Sequence, residues 1–146
     1  MKLFLNKDDT KQELRKLMKI LAINLSVKNI CFNNQAKKLS GYYHYDKNLI
    51  FINNKQSKKN MLQTFFHELA HHCSTTQQEE HAKYHKGISK KIEPTKAFCI
   101  ENKTDKLASA LWKKHVDTTS WGKYNFAYPK SQKKQLTKWL DQYYNK

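Results

Sequence analysis

The segment with the clearest chemical potential is Phe65-Phe66-His67-Glu68-Leu69-Ala70-His71-His72, which contains the pattern H-E-x-x-H. Residues four apart lie on the same face of an α-helix, so His67 and His71 can direct two imidazole nitrogens at one metal ion. Glu68 lies beside them, where a carboxylate can take a proton from a water molecule at the metal. The pattern therefore predicts a Zn²⁺ site for hydrolysis, with two histidine ligands and Glu68 as the general base.

The same segment predicts a helix that is buried along one side. Gln56 and Ser57 are suited to cap a helix over about residues 58–73. The two histidines border its apolar side, so we expect them to be half-buried, where unpaired polar groups are costly. The apolar side consists of residues at positions i, i+3, i+4, i+7, i+8 and i+11, namely Leu62, Phe65, Phe66, Leu69, Ala70 and Cys73.

A catalytic zinc usually has three protein ligands and one water, so the two histidines need a partner. Glu101 and Asp105 are four residues apart in a segment with helical periodicity, and both carboxylates therefore face the same side of a helix. We expect Glu101 to be the third ligand. We expect Asp105 to accept the second N–H of a ligating histidine, which would fix the tautomer of that ring.

Together the two segments resemble a known class of zinc peptidase. His67-Glu68-Leu69-Ala70-His71, followed by Glu101-Asn102-Lys103-Thr104-Asp105, is similar to the gluzincin pattern H-E-x-x-H…E-x-x-x-D. The chain is most similar to the small ImmA/IrrE-like metallopeptidases, over about residues 40–112, although Thr104 stands where a small alanine is typical there. The resemblance implies a zinc peptidase that cleaves a cytoplasmic protein and has a strand ahead of the motif helix.

Two other residues remain alternatives for the third ligand. His85, in His85-Lys86-Gly87, is similar to the histidine of SprT-like proteases, which act on DNA-associated proteins. Asp117 is loosely similar to an aspzincin ligand. The longer motif H-E-x-x-H-x-x-G-x-x-H is excluded, because positions 74 and 77 hold serine and glutamine. Candidates for stabilising the oxyanion of the reaction are His81, Tyr84, His85, His115 and Tyr124.

The charge of the chain is strongly basic, with 28 basic and 12 acidic side chains and a formal net charge of +16. Such a field favours polyanions, including nucleic acid. Arg15 is the only arginine, and lysine acts mainly as a point charge on phosphate, so any nucleic-acid binding is expected to be non-specific. The alternatives are a solvated lysine surface, or a basic nucleic-acid-associated zinc module without catalytic activity.

The cysteines and the N-terminus bear on location. Three widely spaced cysteines without a C-x-x-C pair favour a reducing compartment. The apolar run near Met1 is too short for a signal-peptide core, and no segment approaches the length of a membrane span. The sequence therefore predicts a cytoplasmic protein.

The length of 146 residues predicts one metallopeptidase-like domain. We expect an α+β fold, a small zincin-like domain in which a short antiparallel sheet packs on the active-site helix and on a second, ligand-bearing helix. Helices at the N- and C-termini complete it, with a core over about 10–116 and a C-terminal aromatic loop and helix over 117–146. The predicted elements are a capped helix over about 10–24, strands within 28–34, 42–46 and 49–53, the motif helix, a connection over the site at 74–95, a helix from Pro94 and a last helix after Pro129.

Overall fold

The structure is a computed structural model that describes residues 2–34, 40–74 and 94–122, with the backbone alone for 94–102 and for Thr118. The predicted C-terminal helix and nearly all of the 74–95 connection lie outside these residues. The α+β class is confirmed. In chain order the elements are β1 (Leu3–Leu5), α1 (Lys11–Asn24), β2 (Asn29–Asn33), β3 (Gly41–His44), β4 (Leu49–Asn53), α2 (Lys58–Cys73), α3 (Pro94–His115) and β5 (Val116–Thr119).

A three-stranded sheet with the order β2-β4-β3 lies beside the helices. The β3–β4 hairpin is antiparallel, as predicted, but β2 runs parallel to β4, so the sheet is mixed rather than wholly antiparallel. The backbone N–H groups of Lys28 and Asn29 both donate to the carbonyl of Asn48 at 3.2 Å, which sets the start of β2 beside the start of β4. Since β4 is the most buried of the three strands, it takes the centre and pairs on both edges.

Helix α1 begins at the predicted capping box. The hydroxyl of Thr10 accepts from the backbone N–H of Glu13 at 3.1 Å, and the Glu13 carboxylate accepts from the backbone N–H of Thr10 at 3.2 Å. These two bonds satisfy donors that the first turn of a helix leaves without partners. The inner face of the helix enters the core through Leu14, Met18, Leu21 and Ala22.

Helix α2 has the predicted bounds and the predicted buried side. The hydroxyl of Ser57 accepts from the backbone N–H of Asn60 at 3.2 Å and so caps the first turn. Leu62, Phe65, Phe66, Leu69 and Ala70 are fully buried. Cys73 was expected to extend this apolar stripe but is exposed, because it is the last residue of the helix.

Helix α3 packs against α2 through an aromatic cluster. The ring of Phe66 lies edge-on to Phe65, with centroids 5.2 Å apart, and to Trp112 of α3, with centroids 5.1 Å apart. Edge-to-face aromatic pairs add a specific geometry to the burial of large apolar surfaces. The contact fixes α3 against the helix that carries the H-E-x-x-H motif. None of the helices in the described residues is long and apolar enough to cross a membrane.

A second, two-stranded parallel sheet joins β1 to β5 and was not predicted. Leu3 and Leu5 are buried, and Val116 pairs with Leu3 directly after the end of α3. Three residues are too few for a periodic pattern, and the partner strand lies more than a hundred residues away in the chain. The side-chain amine of Lys58 donates to the carbonyls of Lys7 and Asp9, at 2.5 and 2.9 Å, and so ties this N-terminal region to the start of α2.

The β3–β4 hairpin approaches α2 most closely at Gly41. A Cβ atom on Gly41 would lie 2.5 Å from the carbonyl oxygen of Phe51 and 2.5 Å from Cγ2 of Thr64. Both distances are shorter than a non-bonded contact allows. A residue without a side chain is therefore required where the strand meets the helix.

We expect Gly41→Ala to lower the free energy of unfolding by about 2 kcal/mol, because the added methyl group overpacks the junction of strand and helix. Urea unfolding measures this change. Thr64→Ser removes Cγ2 but keeps the hydroxyl. The double variant Gly41→Ala/Thr64→Ser should therefore recover only the part of the lost unfolding free energy that is due to the clash with Thr64. A Gly41→Ala variant as stable as the wild type would contradict the close approach.

Candidate metal centre

The C-terminal half of α2 brings together His67, Glu68 and His71. One potential ligand atom from each of these residues lies within 4.8 Å of the others. Glu68 and His71 are buried and His67 is half-buried, and the two imidazole rings stand edge to face with centroids 4.9 Å apart. Helical spacing therefore places two imidazoles and a carboxylate around one point, in a setting that largely excludes water.

Asp105 of α3 holds the imidazole of His67. Its Oδ1 lies 2.9 Å from His67 Nδ1, and the Asp105 side chain is only 2% exposed. A ring that donates through Nδ1–H presents Nε2 as the nitrogen that can bind a metal. The contact joins the two helices at the position where the potential ligands meet.

Tyr45 directly follows β3 in the hairpin, and its side chain contacts the imidazole of His71. The tyrosine hydroxyl lies 3.1 Å from His71 Nδ1, and the two rings stand edge to face. Sequence reasoning missed Tyr45. The alternation of Tyr43 and Tyr45 could have indicated it, because residues two apart on a strand point to the same face.

His72 forms a separate set of bonds that fixes the end of α2. Its Nε2 lies 2.8 Å from the carbonyl oxygen of Leu25, and its Nδ1 lies 2.9 Å from the hydroxyl of Tyr43. The Tyr43 hydroxyl donates to Asn48 Oδ1 at 3.0 Å, and burial raises the pKa of Tyr43 to about 12, so the hydroxyl keeps its proton at neutral pH. His72 thus links α2 to the end of α1 and to the hairpin, facing away from His67 and His71.

The surroundings of the second carboxylate oxygen of Asp105 indicate whether the residues present fit a metal ion. Asp105 Oδ2 is buried and has no hydrogen-bond partner among the described residues. A buried carboxylate with an unsatisfied oxygen is costly unless positive charge lies nearby. A divalent ion on the opposite nitrogen of His67 would supply that charge, so the donor set and its supporting groups fit a metal.

The structure describes the positions of only some of the other predicted ligands and oxyanion donors. Position 101 lies in α3, one helical turn before Asp105, but the Glu101 side chain is outside the described residues. Asp117 lies in β5 with an exposed side chain and does not belong to the cluster on α2. His115 is buried at the C-terminal end of α3. The candidates that lie outside the described residues are His81, Tyr84, His85 and Tyr124.

Comparison with known proteins agrees with this geometry. A family model described as "Putative metallopeptidase family (DUF6782)" matches residues 8–101, which include α2 and its H-E-x-x-H motif. Neither the curated proteins nor the solved structures contain a significant match to the chain. The matched region covers more than half of the sequence, and the chain therefore belongs to the DUF6782 family of metallopeptidase-like proteins.

Proposed function

We propose that the protein is a zinc-dependent peptidase of the gluzincin type that hydrolyses peptide bonds in a protein substrate. The observation that carries the proposal is the convergence of His67, Glu68 and His71 to within 4.8 Å on α2, in a chain of a metallopeptidase family. The arrangement of the cysteines favours a reducing compartment, so the proposed substrate is a cytoplasmic protein. The resemblance to ImmA/IrrE-like enzymes supports the same class of substrate.

The choice of zinc follows from the donor set. Imidazole nitrogen and carboxylate oxygen are both ligands that Zn²⁺ accepts. When bound, the ion supplies a Lewis acid that polarises the scissile carbonyl and lowers the pKa of water. A structural zinc site is usually closed by four protein ligands and does not need an adjacent carboxylate for proton transfer. The position of Glu68 therefore favours a catalytic site over a structural one.

Glu68 is the proposed general base. Its carboxylate is buried beside the two histidines, so it can accept a proton from the attacking water without competition from bulk solvent. The same carboxylate then donates that proton to the leaving amine. Glu68 follows His67 directly in the helix, about 100° around the axis from it, so its carboxylate can lie beside the two imidazoles without sharing their helix face. This placement supports proton transfer rather than metal ligation as its role.

Asp105 and Tyr45 are the proposed positioning residues of the two imidazoles. Each offers an oxygen to Nδ1, at 2.9 Å for His67 and 3.1 Å for His71. Such bonds fix the tautomer and the ring orientation, and a carboxylate partner also makes the imidazole a better donor to the metal. The two ligands are thereby supported from different elements, one from α3 and one from the hairpin.

Glu101 remains the proposed third ligand. The Asp105 carboxylate contacts His67, so this face of α3 meets the metal-binding face of α2. Position 101 lies on the same face of α3, about 6 Å along the axis. The exposed location of Asp117 in β5 makes it a weaker candidate. His85 remains the alternative, in which case the enzyme would resemble SprT-like proteases.

The hairpin offers an edge at which an extended peptide could bind. Because β4 is central, only β3 presents an open edge on the hairpin side of the described sheet. The bond from Asn53 N to Ser40 O fixes the register, so the backbone groups of Gly41 and Tyr43 face away from β4. We propose that substrate adds to this edge, which leads to Tyr45 and His71.

Glu68→Gln should keep the fold and the bound zinc but lower peptide cleavage at least a hundredfold, because the amide cannot accept the proton. Zinc content by mass spectrometry and digestion of a proteome-derived peptide library measure the two effects. Asp8→Asn removes one exposed carboxylate ahead of α1 and serves as the control. Full activity of the Glu68→Gln variant would show that the general base is another group.

The third ligand is identified by the zinc stoichiometry of Glu101→Ala, His85→Ala and Asp117→Ala. We expect only Glu101→Ala to lose zinc under competition with a chelator, because two histidines alone hold the ion weakly. Circular dichroism confirms that each variant is folded. Zinc lost from His85→Ala and kept by Glu101→Ala would replace the gluzincin assignment with the SprT-like one.

Tyr45→Phe and Asp105→Asn should each lower zinc affinity by about tenfold or more, since each variant weakens the bond that orients one ligating imidazole. Tyr42→Phe is the matched control, because the Tyr42 ring stacks on Phe51 with centroids 5.0 Å apart, and its hydroxyl has no assigned part in the site. Competition with a fluorescent chelator measures the affinity. If Tyr45→Phe bound zinc as tightly as Tyr42→Phe, the hydroxyl of Tyr45 would have no role in holding His71.

A further inference from the structure

A basic groove of about 380 Å³ lies between α1 and the ends of β2 and β4. Its volume is within the range of pockets that hold small ligands, about 300–1,000 Å³. The groove contains three cationic side chains, one aromatic ring and two side-chain amides. The residues that line it are Gln12, Arg15, Lys16, Lys19, Phe32 and Asn54.

The helical wall of the groove is one polar stripe that carries three cationic side chains. Gln12, Arg15, Lys16 and Lys19 recur at i, i+3, i+4 and i+7 on α1, so their side chains share one face. The core-facing side of α1 is apolar, which leaves this stripe on the outer surface. Both lysines are exposed, and Arg15 is half-buried.

Two side chains of α1 bind the opposite wall of the groove through hydrogen bonds to Asn54. Arg15 Nη1 donates to Asn54 Oδ1 at 3.4 Å, and Lys11 Nζ donates to the backbone carbonyl of Asn54 at 3.0 Å. Phe32 of β2 is half-buried and packs against the core. Phe32 and Asn54 therefore line the wall that faces the cations of α1.

The groove is separate from the candidate metal centre. Asn54 follows the C-terminal end of β4, ahead of the start of α2, whereas Tyr45 precedes the N-terminal end of β4 and contacts His71 near the end of α2. Helix α2 has 16 residues, so its two ends are about 24 Å apart. A ligand in the groove would contact none of His67, Glu68 and His71.

We propose that this groove binds single-stranded nucleic acid, a function beyond the proposed peptidase activity. The cations of α1 pair with phosphates, the Phe32 ring stacks on an unpaired base, and the amides of Gln12 and Asn54 bond to base edges. A duplex keeps its bases stacked on one another and could not use Phe32. An acidic peptide would pair its carboxylates with the same cations but has no base to stack on the Phe32 ring. The net charge of +16 attracts the polyanion from a distance.

The test uses fluorescence anisotropy of the full chain with labelled twelve-nucleotide single-stranded DNA and RNA over a range of salt concentrations. Lys16→Gln with Lys19→Gln should lower affinity about tenfold at low salt and reduce the slope of log K against log salt by about 1.4, from 0.7 per phosphate contact. Phe32→Leu keeps apolar packing but removes the ring face, so it should lower affinity about tenfold with an unchanged slope.

The matched control is Lys106→Gln with Lys113→Gln, which removes the same charge from exposed positions of α3. The proposal is supported if both groove variants bind more weakly than this control. It is overturned if neither single strand binds at low salt, if the two lysine pairs have equal effects, or if Phe32→Leu binds as the wild type does. Equal competition by polyglutamate or by phosphatidylglycerol vesicles would also overturn it, and would show that the groove attracts anions of any class.

Discussion

The contact between His67 Nδ1 and Asp105 Oδ1, 2.9 Å long, joins the packing of the protein to its proposed chemistry. It crosses between two helices and buries a carboxylate whose second oxygen has no hydrogen-bond partner in the described part of the chain. The burial of such a group is costly unless positive charge lies close to it. The aromatic packing of Phe66 on Trp112 keeps the helices close enough for the contact. The fold thus supports an arrangement that a metal ion would complete.

The two histidines of the candidate site are held by hydrogen-bond partners of different chemistry. A carboxylate on α3 holds His67, whereas a neutral phenol from the β3–β4 hairpin holds His71. A carboxylate is in general a stronger hydrogen-bond acceptor than a neutral oxygen, and the contact of the phenol depends on the position of the hairpin. That position is itself fixed by Gly41 against α2 and by the bonds of His72 to Tyr43 and Leu25. The sheet therefore contributes directly to the site.

The two proposed functional regions lie toward opposite ends of α2, although the groove is lined by residues of α1, β2 and the end of β4. The proposed role of the metal centre depends on burial, because Glu68, His71 and Asp105 lie where water is scarce. The groove depends on exposure, because Lys16 and Lys19 must reach a charged ligand. A peptidase with a separate site for single-stranded nucleic acid would be brought close to proteins bound to that nucleic acid. The positive charge of the surface would then have a specific use as well as a solvating one.

The sequence by itself determined the local features of this protein. Helical periodicity and capping residues located α1 and α2 to within a residue, and H-E-x-x-H grouped His67, Glu68 and His71, because helix geometry depends only on spacing. Only the tertiary structure decided that β2 joins β4 in parallel, that β1 pairs with β5, and that Tyr45 contacts His71. These contacts join residues far apart in the chain, and they depend on how elements pack rather than on any local pattern.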